Sequence, residues 1–201
     1  GISIPLDDGQ LLAVNPETGE LIGAPIQPPL EPGKSISWAT PVLMSDGQTL
    51  LAANSDKQLL RVATGGQFSK INEVTTVHQV SGQLASLGET ILVPTAGEQS
   101  SLVEVYSGVD LTRQNTVSIQ GRLIWGLYRV NDIAIGCSSI EGLIAINAAG
   151  ERAWTRAIPE FVPVGEPLVL DDLMYVSNAN GVMFQIKIQS GEIVGTLDVG
   201  E

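Results

Sequence analysis

Apolar residues along this chain come in short clusters separated by turns that contain glycine or asparagine, from one end of the sequence to the other. Leu12-Ala13-Val14, Leu60-Arg61-Val62, Val103-Glu104-Val105, Ile144-Ala145-Ile146 and Phe184-Gln185-Ile186 show this most plainly. No stretch repeats its apolar residues at the three-to-four spacing of a helix face, so the pattern predicts strands throughout and very little helix.

The clusters are periodic. Their closing residues, Val14, Val62, Val105, Ile146 and Ile186, follow one another at steps of 48, 43, 41 and 40 residues. One period is clearest in Gly126-Leu127-Tyr128-Arg129-Val130, Ile133-Ala134-Ile135-Gly136, Gly142-Leu143-Ile144-Ala145-Ile146 and Glu151-Arg152-Ala153-Trp154, separated by turns such as Asn131-Asp132. Four strands of about five residues joined by hairpin-sized loops make an antiparallel meander. The last period repeats the plan, and its Asn180-Gly181 pair favours a tight hairpin because both residues tolerate positive φ.

The two middle strands of each period are almost continuously apolar, as in Ile133 to Ile135 and Leu143 to Ile146, which predicts that both faces of every sheet are covered. A four-stranded unit recurring about every 40 residues with both faces buried is a β-propeller blade. The fold class is therefore all-β, with blade-like repeats at 1–33, 34–77, 78–121, 122–161 and 162–201. The first supplies Ile2-Ser3-Ile4-Pro5-Leu6, Gln10 to Val14 and Glu20 to Gly23, a blade without its innermost strand. Four complete blades and a partial N-terminal one suit a five-bladed ring or part of a larger one. The longer first step contains Pro28, Pro29, Pro32 and Gly33 and reads as a connector, since proline cannot donate to a sheet ladder.

Charge narrows the partners. Ten Lys and Arg stand against 22 Asp and Glu, a formal net charge of −12, and the basic residues form no run able to neutralise several phosphates. Nucleic acid and anionic membrane surfaces are disfavoured, and no apolar run approaches the roughly 18 residues of a spanning helix. Gly1-Ile2-Ser3-Ile4-Pro5 lacks the basic start and apolar core of a signal peptide. Cys137 is the only cysteine, which excludes an internal disulfide and a cysteine-based zinc site.

Ala13-Val14-Asn15-Pro16-Glu17-Thr18-Gly19-Glu20-Leu21-Ile22 resembles the strand-turn-strand motif of the pyrroloquinoline-quinone-like, or quinoprotein-like, propeller repeat, roughly Ala-x-Asp-x-x-Thr-Gly-Lys-x-x-Trp. Ala145 to Trp154 is similar with a turn one residue shorter, and Gln185 to Gly195 follows the same outline. In that motif the Asn or Asp bonds to the turn backbone, the glycine adopts a left-handed conformation and the tryptophan wedges between blades. Here Gly23 and Gly195 stand at the wedge position and only Trp154 is aromatic, so the girdle is expected to be mostly lost.

The resemblance implies two functions. Members that oxidise alcohols or sugars bind the quinone and a calcium ion, and several clamp the quinone with adjacent cysteines, which this chain lacks. The expectation is a non-catalytic binding or scaffold module, without cofactor or metal, contacting a protein or peptide through one propeller face. The alternative is a fragment of a quinone-dependent dehydrogenase lacking its cofactor-binding blades. The family also suggests a periplasmic or other extracytoplasmic location.

Trp38 and Trp125 are the candidate partner-binding residues. Aligning Ala39, Gly82, Gly126 and Gly165 puts each tryptophan immediately before the innermost strand of a blade, where an indole either packs between blades or stacks on a ligand. No catalytic residue is assigned. His78, the only histidine, has no nucleophile or orienting partner in the sequence and reads as a connector residue, and Asp171-Asp172 reads as a solvated turn.

Overall fold

The structure, a computed structural model, describes residues 1–6, 8–29, 33 and 35–198. Among these, every regular element is a strand. The first sheet pairs β1 (Ile2–Pro5) with β2 (Leu11–Val14). The second runs in order through β3 (Val42–Leu43), β4 (Thr49–Ala53), β5 (Gln58–Ala63) and β6 (Ser69–Thr75). In the third, β7 (Gln79–Val80) and β8 (Ala85–Leu87) share one edge of β9 (Thr90–Ala96), followed by β10 (Ser101–Ser107) and β11 (Arg113–Ile119). The fourth holds β12 (Leu123–Val130), β13 (Ile133–Ser138), β14 (Gly142–Asn147) and β15 (Arg152–Arg156). The fifth holds β16 (Pro163–Leu170), β17 (Leu173–Asn178), β18 (Val182–Lys187) and β19 (Ile193–Asp198). All pairings are antiparallel and, apart from that of β7 with β9, join neighbours in the chain, the meander of a propeller blade.

The sheets stack face to face, and the two-residue period of a strand explains the continuous apolar runs. In β13 and β14, Ile133, Ile135, Cys137, Leu143 and Ala145 join Met174, Val176 and Ile186 of the fifth sheet. Their alternates Ala134, Ile144 and Ile146 join Leu92, Val103 and Val105 of the third. Two further clusters close the second sheet against the third and the first against the second. Each sheet thus has a forward face and a backward face, and every cluster joins consecutive sheets. The outermost strands carry polar residues, as β6 does with Ser69, Lys70, Asn72 and Glu73.

Covering of both faces holds for the three middle sheets but not for the outer ones. On the fifth, Val164, Leu168, Leu170 and Leu197 stay exposed because no sheet packs on its forward face among the described residues. In the first sheet, the expected third strand is present only as bridges from Val14 to Leu21 and from Leu11 to Ile26. Of the proline connector, Pro28 and Pro29 lie outside any strand and Pro32 lies outside the described residues.

Four matching bulges set the true register of the repeat. The ladder between the third and fourth strands shifts at Arg61/Val62, Val105/Tyr106, Ala145/Ile146 and Gln185/Ile186. Tyr106, not Val105, therefore corresponds to Ile146. The apolar triplet at Val103 misleads because the strand continues inward through Tyr106, whose hydroxyl donates to the buried Glu104 carboxylate at 2.6 Å.

The same register shows that an amide side chain fills the wedge position in two of the four sheets that lack the tryptophan. Trp154, opposite Ala145, lays its ring against Gly191 in the turn of the fifth sheet, and its Nε1 donates to the Ile188 carbonyl at 2.9 Å. Gly191 has a φ of 66°, and a β-carbon there would stand 2.5 Å from the ring. The equivalent residues are Asn72, opposite Arg61, and Asn115, opposite Val105. Their Nδ2 groups donate to Asp110 O and Gly150 O in the turn of the next sheet, each at 2.9 Å. The girdle is replaced by amide hydrogen bonds at these two joints. At Gly23 the neighbouring turn comes close enough that a β-carbon would stand 2.9 Å from the Phe68 carbonyl oxygen.

Candidate partner-binding face

The loops after the second strand of each sheet and the segments entering the first strand lie at one end of the sheets, and two clefts open among them. One, of about 480 Å³, lies between the fourth and fifth sheets and is lined by Ile124, Ile140, Ile158, Pro159 and Val162 together with the polar Ser138, Ser139 and Glu160, with Phe161 among them largely buried. The other, of about 410 Å³, lies between the second and third sheets and is bordered by Trp38, Asn54, Ser81 and Gln83.

The loops are held by a recurring acceptor. Asn54 Oδ1 accepts from the N–H groups of Asp56 and Gln58, and Asn178 Oδ1 from those of Asn180 and Val182. In the fourth sheet the Ser138 hydroxyl does the same for Ile140 and Glu141, both at 3.1 Å, and donates to Gln120 O. The Glu141 carboxylate accepts from Gln120 N and pairs with Arg152, fixing the loop to the third sheet and to β15. On this loop, Ile140 occupies the place that Asp56 and Asn180 take in the other two. It is 68% exposed, with Ile124 and Val162 exposed beside it. These hydrogen bonds hold the Ile140 side chain out at the rim of the larger cleft, beside Ile124 and Val162.

The two tryptophans are not equivalent. Trp38 pairs with Asn54 at the mouth of the second sheet, whereas Trp125 lies inside β12 opposite Cys137, after a register shift that follows Leu123. The position matching Trp38 is Leu123, opposite Ser138, so the alignment through Ala39 and Gly126 slips at this bulge. Trp38 is half-buried, donates from Nε1 to Gly9 O at 3.1 Å and borders the smaller cleft. Trp125 is 9% exposed, packs on Tyr128 at 4.7 Å and donates to Gly165 O at 2.7 Å, tying the fourth sheet to the fifth. It lines neither cleft, although its neighbour Ile124 does. Sequence inspection missed Ile124, Ile140 and Val162. The available signal was an isoleucine inside Ser138-Ser139-Ile140-Glu141, where sister loops are polar.

His78 belongs to a buried polar cluster. Its Nδ1 is 3.3 Å from Glu104 Oε1, and the same carboxylate accepts from the backbone N–H groups of Val77 and His78 and from Tyr106. Burial pushes the Glu104 carboxyl up, but the Tyr106 hydroxyl, the two N–H groups and the imidazole outweigh it and hold the group below its ordinary value of 4.5. Burial, with the Glu104 hydrogen bond and charge, pushes the Tyr106 phenol well above its usual range. With the carboxylate engaged by four donors, the cluster anchors the connector between the second and third sheets.

The quinone and calcium set fits poorly. Among the described residues no three His, Cys, Asp or Glu side chains come together as a metal site, and Cys137 is buried within the joint of the fourth and fifth sheets. Asp171 and Asp172 stand in the turn from β16 to β17, where the Asp172 carbonyl accepts from Ile188 N.

No family model matches the chain, and no curated protein matches it. Solved structures do. BamB from Moraxella catarrhalis superposes with a TM-score of 0.67 at 15% identity over 98% of this chain, which spans 60% of that protein. Sqt1 from Saccharomyces cerevisiae gives 0.69 at 15% identity over 96% of this chain and 56% of its own. The computationally designed Ika8 protein gives 0.64 at 11% identity, over 98% and 58%. The fold is a β-propeller. At these identities the likeness speaks for architecture alone, and the chain spans less than two thirds of each of these proteins. No helix among the described residues is long and apolar enough to cross a membrane.

Proposed function

We propose that this chain is a non-catalytic binding module that takes a protein or peptide segment on the loop end of its fourth and fifth sheets. The supporting observation is the cleft of about 480 Å³ with Ile140 at its rim, on a loop whose sister loops carry Asp56 and Asn180. Ile124 and Val162 extend the apolar contact, and Trp125, next to Ile124 in β12, ties that strand to the fifth sheet through its bond to Gly165. Trp38 adds a second contact at the neighbouring cleft, where its indole is steered by the bond to Gly9. A cleft of this size, with Ser138, Ser139 and Glu160 beside its apolar residues, suits a polypeptide segment that offers both apolar side chains and backbone polar groups.

Panning a displayed random-peptide library on the chain tests this reading. Recovered peptides should lose about tenfold in affinity for the Ile140→Asp and Val162→Asp variants, since burying a new charge against an apolar residue costs more than about 1.4 kcal/mol. Trp38→Ala should weaken binding less. Peptides that bind both Asp variants as tightly as the parent chain would refute the site.

A further inference from the structure

The cleft between the fourth and fifth sheets has one charged residue in its lining, Glu160. It stands in the turn Pro159-Glu160 of the connector from β15 to β16, and its φ is 55°. A turn with proline first and a left-handed residue second favours glycine or asparagine at the second place, because a β-carbon there crowds the backbone. The connector into the fourth sheet meets that preference, since its left-handed residue is Gly121, with a φ of 75°.

Five residues other than glycine adopt a positive φ among the described residues, and four of them have a visible reason. Asn131 and Asp171 are of the types that tolerate this conformation, and they occupy the same hairpin turn in the fourth and fifth sheets. Leu111 is buried in the cluster between the second and third sheets, and the Lys57 amine donates to Val77 O at 3.2 Å. Glu160 has none of these. Its side chain is exposed, and no hydrogen bond or ion pair holds its carboxylate among the described residues. Arg122 and Arg156, the arginines nearest in the chain to the lining residues, are engaged elsewhere: Arg122 donates to Gly97 O and Glu98 O, and Arg156 to Gly191 O. A free carboxylate kept in a conformation that costs stability, in the wall of a cleft with an apolar rim, is placed to meet a cation brought by the occupant.

We propose that Glu160 reads a lysine or arginine of the bound segment, so that the cleft selects a polypeptide with a cationic residue beside its apolar anchor. This rests on the reading of the cleft as a polypeptide site. The formal net charge of −12 draws such a segment toward the chain and repels acidic ones. Glu160 sets which segment is taken, while Ile124, Ile140 and Val162 supply the apolar contact.

Peptides recovered by panning on the parent chain test the proposal. They should carry Lys or Arg beside an apolar residue more often than the unselected library does. Glu160→Gln should weaken a recovered peptide about fivefold at low salt, the upper range for one exposed ion pair, and replacing the peptide's basic residue with glutamine should abolish that difference. Glu160→Gly should weaken binding to the same extent while raising the melting temperature by about 2 °C, because it relieves the backbone. Peptides that lose affinity for Ile140→Asn, which adds no charge, yet are indifferent to Glu160→Gln overturn this inference and leave the cleft as a polypeptide site. Peptides indifferent to Ile140→Asn as well overturn both. A Glu160→Gly chain less stable than the parent also overturns the inference, since the side chain would then serve the fold and not the partner.

Discussion

The joint between the fourth and fifth sheets and the joints on either side of the third sheet hold the same kind of interface by different means. The first uses Trp154 against Gly191 and Trp125 bonded to Gly165, with Arg156 donating to Gly191 O at 2.9 Å. The others use Asn72 and Asn115 on the next turn, Arg61 on Val109 O, and Glu104 on the connector. The aromatic joint gains mainly from area and dispersion, which tolerate small displacements. The polar joints gain from direction, and each bond is useful only while the facing turn keeps its shape. One repeat thus accommodates two chemistries because the bulge places the equivalent position against the neighbouring turn in the second, third and fourth sheets.

The largest effect is expected at the aromatic joint. Trp154→Ala should destabilise the chain by about 3 kcal/mol, read from urea unfolding, through lost packing and the cavity left over Gly191. A loss under about 1 kcal/mol would mean that the indole is not the main fastening and would erase the contrast between joints.

Glu104→Gln comes next, at about 2 kcal/mol at neutral pH, since it weakens bonds from four donors to a buried charge. Its pH dependence separates it from a packing defect. The folded pKa is depressed, so the contribution is complete above the ordinary value of 4.5 and is lost as pH falls through the lowered one. Stability of the parent chain should fall more steeply than that of the Gln variant in that acidic window. Parallel curves would remove Glu104 as a fastening of the polar joint.

Much of this was legible in the repeat. The period, the four-stranded unit, the missing innermost strand of the first blade and the all-β class follow from where apolar pairs and turns fall. What the sequence hides is register. Val103-Glu104-Val105 looks like its sister triplets, but Tyr106 is the residue past the bulge, and that one-residue slip conceals Asn115 as the counterpart of Trp154. Trp125 looked equivalent to Trp38 for the same reason, since a bulge inside β12 is not written in hydrophobicity. The loop-end cleft was obscure because its residues, Ile124, Ile140 and Val162, lie far apart in the chain and only Ile140 breaks a local pattern.

Asn72→Ala and Asn115→Ala should each cost about 1 kcal/mol, the usual net value of one hydrogen bond, as measured by thermal unfolding. Restoring an aromatic with Asn115→Trp should not recover stability, because a β-carbon on Gly150 would collide with Val105 and the turn is already closely packed there. A variant more stable than the parent would show that the polar joints are a compromise rather than an equivalent solution.

The smallest effect is a rate rather than a stability. Burial pushes the Cys137 thiol up to about 11, so little thiolate exists near neutrality and reaction with a disulfide reagent should be slow until the chain opens. Cys137 faces the aromatic joint, so Trp154→Ala should speed its labelling and Asn115→Ala should leave it nearly unchanged. Equal acceleration by both would mean that the joints open together.

Because the packing clusters connect only consecutive sheets, the chain behaves physically like a short one-dimensional array rather than a single core. Local opening in such an array is cheapest where a unit has one neighbour and dearest where it has two on either side. Amide hydrogens of β9 and β10, in the third sheet, should therefore exchange most slowly with solvent, with protection falling away toward β2 and β18. A propeller assembled this way frays like a stack of plates, from its outer members inward.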